Sequence, residues 1–284
     1  MMSIQKFYFY TQDGHPLAAH FYPHQGEKKP LPVLIAPATG IVQGFYRHFA
    51  EHLSTLGYDV MSFDFRGIGA SLQGKVQHSQ ASILDWGQYD LPAAVDTLLQ
   101  QTQAQQVILV GHSAGGQLLG VMPNVQHVAK LITIAGSSGY LGGLKGQTKL
   151  LAPLMFYAIF PLGHKLKGFS PTHMIGMGEN LPPQVGRDWA KFCSKPGYII
   201  NAKADLQTDY HTQVSCPITA IWASDDEIAT QANVKDLLRL YPNAKTSMLE
   251  LEPKKYQHKT IGHMLMFKKS HSNLWPILTQ ALEQ

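Results

Sequence analysis

Short apolar runs alternate with amphipathic stretches along most of the chain. Two β-like runs open it, FYFYTQ and PLAAHFY, and the turn residues Asp13 and Gly14 between them predict a hairpin. Later apolar runs are typical of buried strands: PVLIAP, DVMSFDF, QVILV, KLITIAG, PITAIWA and TSMLELE. Helical patterns separate them: FYRHFAEHLSTLG, SILDWGQYDLPAAVDTLLQQ with Pro92 as a possible kink, QLLGVM, TQANVKDLLRLY and NLWPILTQALEQ. Alternating strands and helices predict an α/β fold, with a mostly parallel sheet covered on both faces.

The alternation stops near Ser137 and resumes after about His211. The intervening stretch is irregular and rich in Gly, Pro, Met and aromatic residues. We therefore predict a core domain formed by residues 1–136 and 212–284, with residues 137–211 as an insertion into it. The most apolar part of the insertion, residues 150–162, has the length of a buried helix and is too short to cross a bilayer.

Composition narrows the class of protein. Hydrophobic residues make up 44% and charged residues 15% of the 284 residues, as in globular proteins. The net charge of +4 comes from scattered lysines and arginines, so we expect no nucleic-acid partner. Cys193 and Cys216 lack metal-ligand spacing, and we expect free thiols, no metal and no cofactor. The chain opens without a targeting or membrane-spanning pattern, which favours a cytoplasmic protein.

The strongest chemical signal is the sequence Gly111-His112-Ser113-Ala114-Gly115, which follows the strand-like run QVILV and precedes a helical pattern. A serine on a sharp strand-to-helix turn has a strained backbone, and side chains at the flanking glycine positions would clash. The turn exposes the hydroxyl at a helix N-terminus, where the helix dipole favours developing negative charge. This context predicts that Ser113 is a nucleophile.

A nucleophilic serine needs a histidine base, and the base needs an orienting carboxylate. Acidic residues follow the run PITAIWA, and their adjacency leaves the choice open among Asp225, Asp226 and Glu227. Three histidines follow the run TSMLELE. His263, between Gly262 and the apolar run MLMF, is the preferred base, whereas His258 lies among lysines that predict a solvent-exposed position, and His271 is a further alternative.

The chain resembles the α/β-hydrolase superfamily over nearly its whole length. Five pieces carry the resemblance in order: PATG, FDFRGIGAS, GHSAGG, WASDDEIAT and IGHMLMF. Within the superfamily it most resembles a bacterial group of uncharacterised predicted hydrolases, on the stretches PATGIVQGFYRHFA, LPPQVGRDWAKFCSKPGY and IGHMLMFKK. The resemblance implies the α/β-hydrolase fold with a helical lid, and a serine hydrolase.

The resemblance also assigns individual residues. Relatives commonly read Gly-x-x-Asp at the acid turn, which aligns Asp226 with the acid and makes Ile228 a buried aliphatic anchor. An oxyanion hole is implied, with one donor the N–H of Ala114 and the other from the loop after the third strand. Thr39 takes the donor place there; because this chain has Pro37-Ala38 where relatives carry His-Gly, Gly40 stays an alternative.

The aromatic and Met residues of the insertion predict an apolar substrate pocket, for which Phe156 and Trp189 are the candidate lining residues. The alternative is that they only pack the lid onto the sheet. The predicted function is hydrolysis of a carboxylic ester or related acyl bond of a small molecule, through an acyl-enzyme. An acyltransferase with the same three residues and a catalytically inactive ligand-binding protein are the alternatives.

Overall fold

A computed structural model describes residues 4–206 and 208–283. Its centre is a single eight-stranded sheet in the order β1-β2-β4-β3-β5-β6-β7-β8. β2 pairs antiparallel with both β1 and β4, and the remaining neighbours are parallel, which confirms the mostly parallel sheet with an opening hairpin. The strands are β1 Gln5–Tyr10, β2 Pro16–Tyr22, β3 Val33–Ala36, β4 Val60–Phe63, β5 Val107–His112, β6 Val128–Ile134, β7 Ile218–Ala223 and β8 Thr246–Leu251.

Eight α-helices accompany the sheet within the described residues. They are α1 Arg47–Thr55, α2 Ile83–Asp85, α3 Leu91–Thr102, α4 Thr148–Leu154, α5 Phe160–Lys167, α6 Pro183–Cys193, α7 Gln231–Leu238 and α8 Trp275–Glu283. The expected kink at Pro92 takes the form of a π-helical turn, Trp86–Asp90, between α2 and α3. This wider turn fits a proline that has no N–H to donate.

The helix expected over QLLGVM is absent: the chain forms only short 3₁₀ turns there, Ser113–Gly116 and Leu119–Val121. Glycines explain the difference. A Cβ on Gly116 would lie 2.1 Å from Thr133 Oγ1, and one on Gly120 would lie 2.1 Å from the His211 ring. These positions are glycine because other chain segments approach the backbone, and glycine is a poor helix former.

The central strands β3, β4 and β5 are buried along their whole length, as expected for a sheet covered on both faces. The edge strand β8 is largely exposed. Parallel strands end at the same sheet edge, so the loops after β3, β5, β7 and β8 meet there. These are the loops that hold every residue of the predicted catalytic group.

The predicted insertion contains α4, a π-helical turn at Met155–Ile159, α5 and α6. Residue 207 of the insertion and residues 1–3 and 284 of the predicted core lie outside the described residues. Residues 150–162 are helical, and only one face of this stretch is buried. Leu150 is 77% exposed, whereas Phe156 and Phe160 on the other face are buried.

Both cysteines are free, with Cys193 buried and Cys216 half-buried. The described part of the chain holds no helix with the length and apolar character needed to cross a bilayer. Across residues 4–206 and 208–283, no three His, Cys, Asp or Glu side chains are grouped so as to hold a metal ion.

Candidate active site

Ser113 is the first residue after β5, and its backbone has φ +47°, in the left-handed region that side chains rarely adopt. The turn is tight because its neighbours are glycines. A Cβ on Gly111 would lie 2.4 Å from the Gly115 carbonyl oxygen, and one on Gly115 would lie 2.2 Å from the Ala36 carbonyl oxygen. The strained, tightly packed turn holds the Ser113 side chain at the sheet edge. The 3₁₀ turn that follows supplies less dipole than the helix we expected.

Asp226 and His263 form a hydrogen-bonded pair, with His263 Nδ1 at 2.8 Å from Asp226 Oδ2. Asp226 is 2% exposed, and its Oδ1 accepts the N–H groups of Ile228 and Ala229. Burial by itself raises the pKa of Asp226, but the His263 charge and these hydrogen bonds outweigh it and hold the pKa below its usual value. Asp226 is therefore an ionised, fixed acceptor for the imidazole. Ile228 is only half-buried, so the two amides, and not a buried Ile228 side chain, set the direction of Asp226.

Asp225 points away from the imidazole and holds the backbone that carries it. Its Oδ2 accepts the Thr260 hydroxyl at 2.6 Å and the Ile261 N–H at 3.0 Å, and its Oδ1 accepts the Gly262 N–H at 2.9 Å. The two adjacent aspartates thus serve one loop in different ways. Sequence reasoning considered Asp225 only as an alternative acid and missed its hydrogen bonds to this loop.

The alternative histidines lie behind this loop. His271 is 8% exposed and its Nε2 lies 2.9 Å from the Thr260 carbonyl oxygen. His258, which we expected to be solvent-exposed, is half-buried because it bonds Asn273 and stacks on His271 with ring centroids 3.9 Å apart. Of the three, only His263 lines the cavity that Ser113 also lines.

That cavity has a volume of about 160 Å³. Its wall is mostly apolar and comprises Ala38, Thr39, Ile41, Ser113, Gln117, Gly139, Gly176, Met177, Gly178, Trp189, Ile228, His263 and Met264. A wider outer groove of about 430 Å³ shares Ile41, Gly176 and Gly178 with it. Trp189 is part of the cavity wall, whereas Phe156 packs behind it with ring centroids 5.4 Å apart.

Some backbone N–H groups in the loops beside Ser113 already donate within the protein, whereas two others, among the described residues, have no protein acceptor. The Ala38 N–H donates to Tyr46 Oη, and the Gly115 N–H donates to the Pro37 carbonyl oxygen. Among the described residues, the Thr39 and Ala114 N–H groups have no protein acceptor. Thr39 lines the inner cavity and Gly40 lines the outer groove, which favours Thr39 as the second candidate donor.

A chain of hydrogen bonds runs from the loop after β3, through the end of β5, to the loop after β8. The direction of each bond is fixed by its neighbours, and sequence reasoning missed this chain. The His263 carbonyl can only accept, so His112 Nε2–H donates to it over 2.9 Å. His112 Nδ1 must then accept the Tyr46 hydroxyl at 2.8 Å, and that oxygen accepts the Ala38 N–H at 2.9 Å. The available signals were His112 inside the motif and Tyr46 near the loop after β3, but nothing in the sequence pairs them.

Tyr46→Phe is expected to destabilise the protein by about 1–3 kcal/mol, because it leaves the buried Ala38 N–H and His112 Nδ1 without partners. It should also lower kcat by about 10- to 100-fold, since the loops it joins lose their relative position. Urea unfolding and ester hydrolysis measure the two effects. Tyr198→Phe is the matched control: it removes a buried hydroxyl that has no partner among the described residues. If both variants change the free energy of unfolding and kcat equally, Tyr46 does not link the loops.

His112 also makes stability depend on pH. Complete burial and the nearby His263 charge lower the pKa of His112 to about 3. In the unfolded chain a histidine binds a proton near pH 6.5, so the folded state loses stability as pH falls from there towards 3, by about 1.4 kcal/mol per pH unit. Urea unfolding between pH 7 and pH 4 should therefore show a shallower pH slope for His112→Gln than for wild type. Identical slopes would contradict the assignment.

Comparisons with known proteins agree with the fold. The family model described as alpha/beta hydrolase fold matches residues 32–259. Lipase 3 of Drosophila melanogaster is 31% identical over 238 residues, which are 74% of this chain, and the chain spans only 60% of the length of that relative.

Solved structures share the architecture at low sequence identity. A soluble variant of the monoglyceride lipase of Saccharomyces cerevisiae superposes with a TM-score of 0.71 at 17% identity, covering 99% of this chain and 95% of that one. An esterase of Pyrococcus furiosus gives 0.62 at 16% identity, covering 99% and 90%. At this identity the likeness shows a shared fold.

Proposed function

Because the chain belongs to the alpha/beta hydrolase fold family, we propose that it is a serine hydrolase that cleaves a carboxylic ester or related acyl bond. The observation that carries the proposal is the shared cavity. Ser113 and His263 lie on its wall, and His263 is held from behind by the buried carboxylate of Asp226. The names of the relatives, lipase and esterase, agree with this reaction class.

In the proposed mechanism, Ser113 Oγ attacks the acyl carbonyl while His263 Nε2 takes its proton. In the neutral imidazole, the hydrogen bond to the Asp226 carboxylate keeps the proton of His263 on Nδ1, and this tautomer leaves Nε2 available to act as the base. The Ala114 and Thr39 N–H groups stabilise the oxyanion. His263 then returns the proton to the leaving alcohol, and a water molecule activated by the same imidazole hydrolyses the acyl-enzyme.

The cavity wall supports an uncharged, apolar acyl group. Apart from His263, it carries no ionisable side chain, and Trp189, Met177 and Ile228 supply apolar contacts. The volume of about 160 Å³ is small for a ligand site, so the acyl group that fits is small or extends into the outer groove. The segment 137–211 supplies Met177 and Trp189, and we propose that it acts as the lid that selects the substrate.

Labelling with a fluorophosphonate, followed by mass spectrometry of the modified peptide, tests the nucleophile. The proposal requires labelling at Ser113, and an inactive ligand-binding protein would remain unlabelled. Nitrophenyl esters of graded chain length, measured beside amides and lactones, then define the acyl bond. Addition of an alcohol acceptor distinguishes hydrolysis from acyl transfer, because only a transferase would convert most of the acyl group into a new ester.

Trp189→Ala is expected to shift the ratio of kcat/KM between long and short nitrophenyl esters by about tenfold, because removal of the indole ring enlarges the cavity. Phe156→Ala acts one layer further out, so it should change the ratio less and reduce stability by about 3 kcal/mol through the cavity it leaves. Chain-length profiles and urea unfolding of both variants measure this. Unchanged profiles in both would mean that these aromatics only pack the insertion.

A further inference from the structure

The helical stretch Thr148–Lys167 exposes apolar side chains to solvent along its whole length. Eight of the twelve exposed large hydrophobic residues among those described belong to this stretch or to the turn after it. We call them the apolar stripe: Leu150, Leu151, Leu154, Tyr157, Leu162, Leu166, Met174 and Ile175. Leu150 is 77% exposed and Leu166 and Met174 are each 69% exposed. A contiguous exposed surface of this kind marks an interaction site.

This helical stretch differs from an ordinary surface helix because both its buried face and its exposed face are apolar. Its inner face buries Ala152, Met155, Phe156, Phe160 and Gly163. Its outer face repeats apolar residues every three or four positions, where charged and polar residues normally lie. The polar exposed residues of the helix are lysines at its two ends. A helix that is apolar all round requires a second apolar environment on its outer side.

The side-chain charges around the stripe are mostly positive. Lys145 and Lys149 lie near its first end, Lys165 and Lys167 at its second, and all four are exposed. The sequence has no Asp or Glu between Asp96 and Glu179. The nearest carboxylates by contact are already bound within the protein: Glu227 accepts from Gln147 and Thr148, and Glu179 accepts the Gly69 N–H.

From this combination we propose that the apolar stripe docks on an anionic lipid surface. The helix would lie in the plane of the interface, with its leucines among the acyl chains and its lysines reaching to the phosphates. A second copy of the chain fits worse, because two facing stripes would bring eight lysines together, against only the Glu227 and Glu179 carboxylates that already accept hydrogen bonds within each copy. An anionic bilayer supplies both the apolar layer and the opposite charge.

The stripe is continuous with the rim of the proposed active site. Met174 and Ile175 directly precede Gly176, Met177 and Gly178, which line the cavity, and Lys167 Nζ lies 2.9 Å from Met174 Sδ. Behind the helix, Phe156 packs on Trp189 of the cavity wall. Docking would therefore bring the cavity rim to the lipid. The supply of substrate from the bilayer rests on the proposed function, whereas the docking itself does not.

Vesicle co-sedimentation of the full chain tests the docking. Wild type is expected to bind vesicles of phosphatidylcholine and phosphatidylglycerol at 70:30, and to bind pure phosphatidylcholine at least tenfold more weakly. The triple variant Leu150→Ser, Leu154→Ser, Leu166→Ser should lose at least tenfold in affinity for the mixed vesicles. Each of Lys149→Gln, Lys165→Gln and Lys167→Gln should cost on the order of fivefold, and high salt should act in the same direction.

Matched controls separate the stripe from exposed apolar residues in general. The triple variant Tyr10→Ser, Leu56→Ser, Leu249→Ser removes exposed side chains elsewhere and should bind like wild type. Ser113→Ala should bind vesicles fully without hydrolysing esters, and the stripe variant should hydrolyse a water-soluble short ester at the wild-type rate. Absent binding, equal binding to both vesicle types, or a dimer that the stripe variant abolishes would each overturn the proposal.

Discussion

Ser113→Ala is expected to lower kcat for ester hydrolysis by roughly 10⁴- to 10⁶-fold, the usual loss when the nucleophile of a triad is removed. The fold should survive, because alanine keeps the Cβ that the turn already accommodates at φ +47°. Nitrophenyl ester hydrolysis and fluorophosphonate labelling measure the loss, and thermal unfolding measures the fold. Near-wild-type turnover in this variant would remove the whole proposed mechanism.

Ser113→Gly is the informative partner of that variant. It removes the same hydroxyl, so kcat should fall equally. It also relieves the positive φ, since glycine adopts that region without strain, and Tm should rise relative to Ser113→Ala. Equal Tm values would mean that the turn stores no strain at Ser113.

Asp226→Asn is expected to lower kcat by about 10⁴-fold while preserving the geometry. The two N–H groups of Ile228 and Ala229 donate to Oδ1, so the amide oxygen of asparagine must take that place. Its NH₂ group then faces His263 Nδ1 and donates to it. The proton of the imidazole moves to Nε2, which can no longer accept the proton of Ser113. Steady-state kinetics with a nitrophenyl ester measure the loss.

Asp225→Asn is the control for this change in the adjacent residue. It weakens the three hydrogen bonds to the loop of residues 260–262, and we expect a stability loss of about 1 kcal/mol with a much smaller effect on kcat. A crippled Asp225→Asn together with an active Asp226→Asn would mean that the carboxylate roles are exchanged.

Local sequence pattern was sufficient for most of the fold. The apolar runs became the eight strands in the expected order along the chain, and the family model confirms the α/β-hydrolase fold. The motif around Ser113 and the order serine, acid, histidine singled out three residues: His263 bonds Asp226 and lines one cavity with Ser113, and their catalytic roles stay a prediction. Each of these signals comes from residues close to one another in the chain.

Features that depend on distant contacts escaped prediction. The helix expected after Ser113 is replaced by short turns because His211 and Thr133 approach the glycine backbone there. The partnership of Tyr46 with His112 depends on how two loops meet. The outward face of residues 150–162 is apolar like its buried face, so no periodicity of apolar and polar residues could reveal which side is solvent-exposed.

The bond chain from Ala38 through Tyr46 and His112 to the His263 carbonyl has a consequence for protein engineering. The two ends of this chain are backbone groups, an N–H and a carbonyl, which nearly every residue supplies, whereas the middle is a side-chain pair that must match. A loop transplanted after β3 would therefore keep the chain if it presents a backbone N–H at position 38, and proline there would break it. Residues 46 and 112 behave as one pair, so libraries that vary them together should contain more stable variants than libraries that vary them one at a time.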